Sequence, residues 1–465
     1  MTKLKHHRCL LLILTFSLAL AGFCLFAYCR AKQKERLRPI LSFVIARPVL
    51  EAMPSKLPPQ LKEPKERKWN AWAQQEDNAV RVRLEQGAID SMINLLLFGT
   101  SFTTQPRVIT MRDFEDPVVQ ARVADLVEAL RDPKNNERLI FLRNVLRRRG
   151  IHPETSAGLE RTKTFVVENL RRVVQEQNTI REKFEEAGGE SDQEAGLSKR
   201  SRVFRDRGIS VDTTILSSFG IEGALRDMKD RAVLPKGSIT RVAVVGPGLD
   251  FTDKGFGYDF YPLQTLQPFA IYDSIVRLGF AERGKIEVTA FDISQEVLAH
   301  LRRARDRAEK GENYVVQLPR ESWPWADEAV HYWRSFGSEI GRPVAPIQPP
   351  PALNGLETRA VAIRPEVVLS CKPVDLNVVF EQVAGSAIKP FDLIIATNVF
   401  LYYDTLEQAL ALRNISTLLK PGGFFLTNDW LPHLSQTAMR STGYTLVRYG
   451  ESADWGDNVF WWQRQ

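Results

Sequence analysis

The residues of this chain that can do chemistry are few, and they stand at the ends of apolar runs. Val242-Ala243-Val244-Val245 leads into Gly246-Pro247-Gly248, a turn where only backbone can approach a ligand, because glycine has no Cβ and accepts positive φ. Residues 286–291 run into Asp292 and Ile293. A carboxylate that closes a buried strand needs a partner, and two ribose hydroxyls supply one. A third run, residues 391–397, ends in Asn398. The pattern describes a nucleotide-like ligand held by backbone and one acid. No Ser/His/Asp order, HExxH motif or Cys/His ligand set appears, so neither a covalent nucleophile nor a metal site is expected. Should an acceptor need deprotonation, His433, just beyond Asn428-Asp429-Trp430, is the best-placed base by chain order.

Strands and helices alternate around these residues. Strands are expected at 241–245, 286–291, 393–397 and 423–428, with helices at 213–231, 269–278, 295–310 and 406–419. Such alternation makes a mostly parallel sheet covered on both faces. Residues 444–449 and 458–463, separated by a Gly/Asp turn, read as a closing hairpin.

In order and character, VAVVGPGLD (242–250), IEVTAFDIS (286–294), FDLIIATNVFLYYD (391–404) and LLKPGGFFLTN (418–428) resemble the class I S-adenosylmethionine-dependent methyltransferases, over roughly residues 203–465. The resemblance implies a Rossmann-like seven-stranded sheet whose terminal antiparallel hairpin separates it from the ordinary dinucleotide fold. It also implies S-adenosyl-L-methionine as cofactor: Gly246 and Gly248 under the methionine part, Asp292 and Ile293 at the ribose, Asp375 (in CKPVDLN) at the adenine amino group, and Asn398 at the edge facing the sulfonium. Two positions depart from the family pattern. Val244 stands where an acid is usual, and Asp250 where a third glycine is usual, so Asp250 or Asp253 is expected to replace the missing acid. Residues 398–403 are also similar to a segment of the chemotaxis-receptor glutamate methyltransferases, too short a likeness to carry over their substrate.

Gly248 and Asp292 are 44 residues apart, where a simple βαβ unit needs about 20. The excess, residues 251–268, holds Gly255, Gly257, Phe256, Tyr258, Phe260 and Tyr261 and is expected to act as a lid. An insertion at 314–368, with Trp323, Trp325 and Trp333, either lines an acceptor pocket or packs as a satellite.

The chain has 465 residues, 44% of them hydrophobic, which suffices for two to three domains. Its formal charge of +7 lies entirely in residues 1–38, which makes nucleic acid an unlikely partner for the neutral remainder. Residues 9–29 are uncharged, about 31 Å long as a helix, and read as a membrane span. A cleaved signal peptide is the competing reading. Three Lys/Arg precede the run and five follow it, which places the body on the cytoplasmic side with residues 30–38 near lipid headgroups. Cys371, alone in the globular part, can form neither an internal disulfide nor a structural zinc site. The expected division is a membrane anchor with basic flanks (1–38), a Pro-rich linker (39–68), a small all-α domain (69–186), a flexible hinge (187–202) and a methyltransferase-like domain (203–465) that folds alone. The function expected is direct in-line methyl transfer to an unidentified acceptor. A non-catalytic scaffold or binding protein retaining the fold is the alternative.

Overall fold

A computed structural model describes residues 39–465 except 109–113, 115, 188–207, 252–257, 321–323, 354, 384–388 and 453–454, with backbone alone at 177–187 and 352. The expected membrane span, residues 188–202 of the hinge, and Asp253, Gly255, Phe256, Gly257 and Trp323 lie outside the described residues. No described helix is long and apolar enough to cross a membrane.

Among the described residues five α-helices come first: α1 (Phe43–Ala52), α2 (Glu66–Phe98), α3 (Pro117–Arg131), α4 (Glu137–Arg148) and α5 (Ser156–Ala187). Then α6 (Ile215–Asp230), α7 (Gln267–Arg277) and α8 (Gln295–Ala308) alternate with β1 (Arg241–Val245) and β2 (Glu287–Asp292). The region expected as an insertion supplies β3 (Tyr314–Arg320), α9 (Asp327–Ser335), β4 (Gly341–Val344) and β5 (Glu357–Ile363). After it come α10 (Pro365–Ser370), β6 (Cys371–Asp375), β7 (Phe391–Ala396), α11 (Thr405–Leu418), β8 (Leu419–Thr427), β9 (Met439–Arg448) and β10 (Gly456–Arg464).

The main sheet has the order β6-β2-β1-β7-β8-β10-β9, and β3-β5-β4 form a separate antiparallel sheet. Strands β6, β2, β1, β7 and β8 are parallel, while β10 runs antiparallel to both β8 and β9. Alternation along β1 explains the layering. Val242 and Val244 join α6 and α7 in one core, whereas Ala243 and Val245 face the opposite core with α11 and α1. The strand at β6 was not anticipated, because CKPVD is short, contains a proline and carries charge at both ends. It is tolerated as an edge strand.

The segment 39–68, expected to be a linker without packed elements, is packed. Leu41, Ala46, Val49 and Leu50 are fully buried. The Leu41 N–H donates to Phe380 O (2.8 Å), the Gln382 N–H to Pro39 O (3.0 Å), and Trp69 Nε1 to Leu41 O (2.6 Å). Pro54 and Pro59 begin 3-10 turns, where proline does little harm, whereas Pro48 lies inside the ten-residue helix 43–52 and removes one of its backbone donors.

Helices α2 to α5 share a core that also takes in Phe251 and Leu263 from the sheet-bearing part. The buried Arg138 of α4 holds this junction, donating to the carbonyl oxygens of Asp250 (3.1 Å), Asp259 (3.2 Å), Phe251 and Tyr261. The buried Asp259 carboxylate accepts from Thr100 N (2.8 Å), Thr100 Oγ1 (2.9 Å) and Ser101 N (2.9 Å). The described flanks of the expected lid are therefore fastened to the helical region. Phe251, Tyr258 and Tyr261 are buried, and their rings serve as packing surface.

Candidate functional site

The carboxyl ends of β1, β2 and β7 open onto a cavity of about 380 Å³. Its floor is the turn after β1, where Gly246 (φ 66°) and Gly248 (φ 65°) are in the left-handed region. A Cβ on Gly248 would stand 2.5 Å from Val211 O, and one on Gly246 2.8 Å from a Val399 methyl. Only glycine fits either place.

Asp292 and Ile293, at the end of β2, both line this cavity. The Asp292 carboxyl accepts the Ser294 N–H (2.7 Å) and is bonded by the Gly248 and Ile293 amides. Burial outweighs those bonds and pushes its pKa up to about 7, with nearby Asp375 adding to the rise. The N-cap of α8 is not Asp292 but Ser294, whose Oγ accepts from Val297 N (3.3 Å). A buried acid at a cavity wall, whose bonds among the described residues come from the backbone amides of Gly248, Ile293 and Ser294, fits a ligand that brings hydroxyl donors.

The structure does not bring Asp375 into the cavity. It lies beside Asp292 in register, but its carboxylate is engaged by Arg81 (3.4 Å) and by Gln295 Nε2. Arg81, on α2, also bonds Asp77 (3.1 Å), Glu381 (3.0 Å) and Ile293 O (3.4 Å). This cation is the physical reason that Asp375 turns away. The next residues, Leu376, Asn377 and Val378, line the cavity instead. Asp250 is displaced as well. Its carboxylate accepts from Tyr261 OH (2.9 Å) and Gln264 Nε2 (2.8 Å) and faces a second cavity.

The wall opposite β2 was not foreseen. Residues 209–214, ahead of α6, run alongside the glycine turn: Leu249 N donates to Val211 O (2.8 Å), Thr213 N to Leu249 O (3.3 Å), and Ile209 N to Arg83 O (2.9 Å). This stretch, with Leu84 of α2, lines the first cavity and presents Asp212 to it. No sequence motif marks it, since its place depends on pairing with Leu249 and α2. Tyr402 and Tyr403, which follow β7, are buried and line the same cavity.

Asn398 ends β7 with φ 57°, unusual for a residue with a side chain. Its N–H donates to Asn428 Oδ1 (2.8 Å), its Oδ1 accepts from Asn428 Nδ2 (3.0 Å), and its Nδ2 reaches Ser217 Oγ (3.4 Å). Half-buried Asp429, with its pKa raised to about 6 by desolvation, accepts the next two amides, Val399 N (3.1 Å) and Phe400 N (2.8 Å).

Asn398 lines both the first cavity and the second, which holds about 420 Å³. Thr213, Thr214 and Ser217 are also shared. The second chamber is walled by the small-sheet region (Leu318, Trp325), the β9–β10 turn (Tyr449, Trp455, Asp457) and the loop after β1. Two chambers that meet at a strand end suit a transfer between two ligands. His433 lines neither. It is exposed, and its ring rests on Trp462 at 4.7 Å, because the chain past β8 turns toward the α11 side. No cluster of metal-ligating side chains occurs among the described residues.

No family model matches the sequence, and no curated protein matches it. Among solved structures, the N-methyltransferase NodS from Bradyrhizobium japonicum WM9 is 11% identical, with 52% of this chain and 97% of that chain covered and a TM-score of 0.26. Magnesium protoporphyrin IX methyltransferase (ChlM) from Synechocystis PCC 6803, with bound SAM, is 10% identical over 57% and 90%, with a TM-score of 0.27. TrmN from Thermus thermophilus is 13% identical over 53% and 52%, with a TM-score of 0.24. Overlaps this low leave the class to be read from the strand order. That order, five parallel strands with an antiparallel hairpin at one edge, is the Rossmann-like seven-stranded arrangement that the sequence resemblance implies.

Proposed function

We propose that this chain is an S-adenosylmethionine-dependent methyltransferase whose donor occupies the first cavity and whose acceptor occupies the second. The observation that carries the reading is Asp292, a buried carboxyl at the end of β2 beside two positive-φ glycines with no room for a Cβ as the backbone stands. Asp292 accepts the ribose hydroxyls, Leu376 to Val378 flank the adenine, and the Gly246 to Gly248 turn, which has no side chains in the way at its two glycines, lets the backbone pass close under the methionine part. Asp212 takes the ammonium group, which answers the absence of an acid at Val244. When bound, the donor supplies a methyl group on a sulfonium, an electrophile that needs no covalent help from the protein. The chain's own part is to align the two ligands and exclude water, a positional effect worth several kcal/mol. Asn398, held by Asn428 in a strained backbone conformation, fixes the point where the chambers join.

Calorimetry on the full chain with S-adenosylhomocysteine tests this. Saturable binding that weakens by about 1.5–3 kcal/mol in Asp292→Ala is expected. No binding at millimolar ligand by folded protein favours the non-catalytic scaffold. We further propose that residues 9–29 anchor the chain in the bilayer with its body in the cytoplasm, on the strength of the uncharged run and its basic flank. Protease added outside intact cells should leave the body intact; a protein recovered without its first 21 residues refutes the anchor.

A further inference from the structure

The second cavity has a one-sided electrostatic character. Two carboxylates, Asp250 and Asp457, face it, and none of its described lining residues is Lys, Arg or His. Its walls are aromatic: Tyr258, Trp325, Tyr449 and Trp455. The Tyr449 and Trp455 rings stand at 84° with centroids 6.4 Å apart, forming a corner. Ring faces turned toward a site beside a carboxylate attract cations. Tyr261 in the same wall already has the Arg138 guanidinium 5.2 Å from its ring centre. Among the described lining residues an anionic acceptor would meet two acids and no cation, an unfavourable burial of unpaired charge.

The two acids are not equivalent. Asp250 is bonded by Tyr261 and Gln264 within its own loop. Asp457 receives Tyr449 OH (2.5 Å) and Asn428 Nδ2 (3.0 Å), both on Oδ2. Its Oδ1 has no partner among the described residues. Asn428 in turn holds Asn398, where the chambers meet. The buried indole N–H of Trp325 likewise has no partner among the described residues.

Resting on the reading of the first cavity as the donor site, we propose that the second cavity binds an amine and that this chain methylates nitrogen. Asp457 Oδ1 anchors the amine, and the Tyr449–Trp455 corner encloses its cationic form. For transfer, the bound ammonium first gives one proton to the Asp457 carboxylate, which passes it to solvent, and the neutral nitrogen then uses its lone pair to form the new C–N bond. The C–S bond breaks with its electron pair going to sulfur, which leaves as the neutral thioether of S-adenosylhomocysteine. The product is the methylated ammonium. The amine belongs either to a small molecule or to a lysine side chain.

The test is calorimetry on the full chain with three probes: phenethylamine, its oppositely charged analogue 3-phenylpropionate, and N-acetyl-lysine methylamide. Each is titrated with and without saturating S-adenosylhomocysteine, whose own binding is measured first. Absence of S-adenosylhomocysteine binding refutes the donor reading, while the charge preference is read independently of it. At least one amine is expected to bind about ten-fold or more tighter than the carboxylate, with most of that preference lost in Asp457→Asn. Tyr449→Phe, which keeps the ring and unburdens Asp457, should retain it and shows that the pocket survives substitution. Tighter binding of the lysine derivative than of phenethylamine assigns the amine to a protein side chain; the reverse assigns it to a small molecule. The proposal is overturned if neither amine binds, if 3-phenylpropionate binds as tightly, or if folded Asp457→Asn keeps the full preference.

Discussion

Arg81 and Asp375 meet at 3.4 Å across 294 residues of chain. One residue lies in the first long helix and the other at the end of the edge strand beside Asp292, so the helical region is tied directly to the donor side of the sheet. Burial alone would make Arg81 easier to deprotonate, but Asp77, Glu381 and Asp375 reverse this and hold its pKa above the ordinary value.

Replacing Arg81 by Ala leaves three largely buried carboxylates facing one another. The expected loss of stability is about 3 kcal/mol, the low end of what removing one partner of a buried ion pair costs, since Arg81 is partly exposed. Chemical denaturation of the full chain measures it. A loss below about 1 kcal/mol would place the cluster among ordinary surface pairs.

Asp292 makes stability depend on pH. Its folded pKa is raised to about 7, whereas the unfolded chain releases that proton near 4. The folded state therefore holds the proton more tightly between these values. Its contribution is full below about pH 4 and is lost as pH rises through about 7. Denaturation of the wild-type chain and Asp292→Asn across this range should show the wild-type advantage falling by on the order of 2–4 kcal/mol. The slope due to Asp429 is common to both proteins and cancels. Parallel curves would mean that Asp292 is already ionised without ligand.

Gly248→Ala separates a glycine needed for space from one needed only for φ. At Gly248 the new methyl meets Val211 O at 2.5 Å, so S-adenosylhomocysteine affinity should fall at least about ten-fold with the loop displaced. Gly284 also has positive φ (78°), but no atom lies near its Cβ position. Gly284→Ala should cost roughly 1 kcal/mol of stability and leave affinity unchanged. Equal effects on affinity would remove the contact with Val211 as the cause.

Arg138→Met keeps the aliphatic stem and strips four carbonyl oxygens of their donor. Hydrogen exchange in residues 258–263 should accelerate while the strand Leu419–Thr427 is unchanged, with a stability loss of about 3 kcal/mol. Unchanged exchange would show that Asp259 and its contacts to Thr100 and Ser101 suffice to hold the loop.

Strands β1, β2, β7 and β8 were legible because each carries two independent signals, an apolar run and the glycine, aspartate or asparagine at its end. Gly246, Gly248, Asp292, Ile293 and Asn398 all come to one cavity, as their positions at strand ends required. What escaped was set by long-range partners. Nothing in CKPVD announces that Arg81 will claim Asp375, and nothing near Asp212 announces that residues 209–214 will pair with Leu249. His433 followed chain order faithfully, but a short turn of backbone carried it to the far side. The prolines of 39–68 misled for a different reason: proline limits backbone geometry without forbidding burial, and Leu41, Val49 and Leu50 had enough apolar surface to decide the matter.

That packed segment changes how the body hangs from whatever residues 1–38 hold. With Pro39 and Leu41 stitched to Gln382 and Phe380, the anchor proposed at residues 9–29 would be separated from the packed body by residues 30–38 alone, a stretch that can span at most roughly 30 Å. A thirty-residue coil would have let the molecule wander and tumble. Under the proposed anchoring, a mooring this short would keep one flank turned toward the bilayer, so that acceptors confined there would be met at a local concentration that dissolved ones would have to match in bulk.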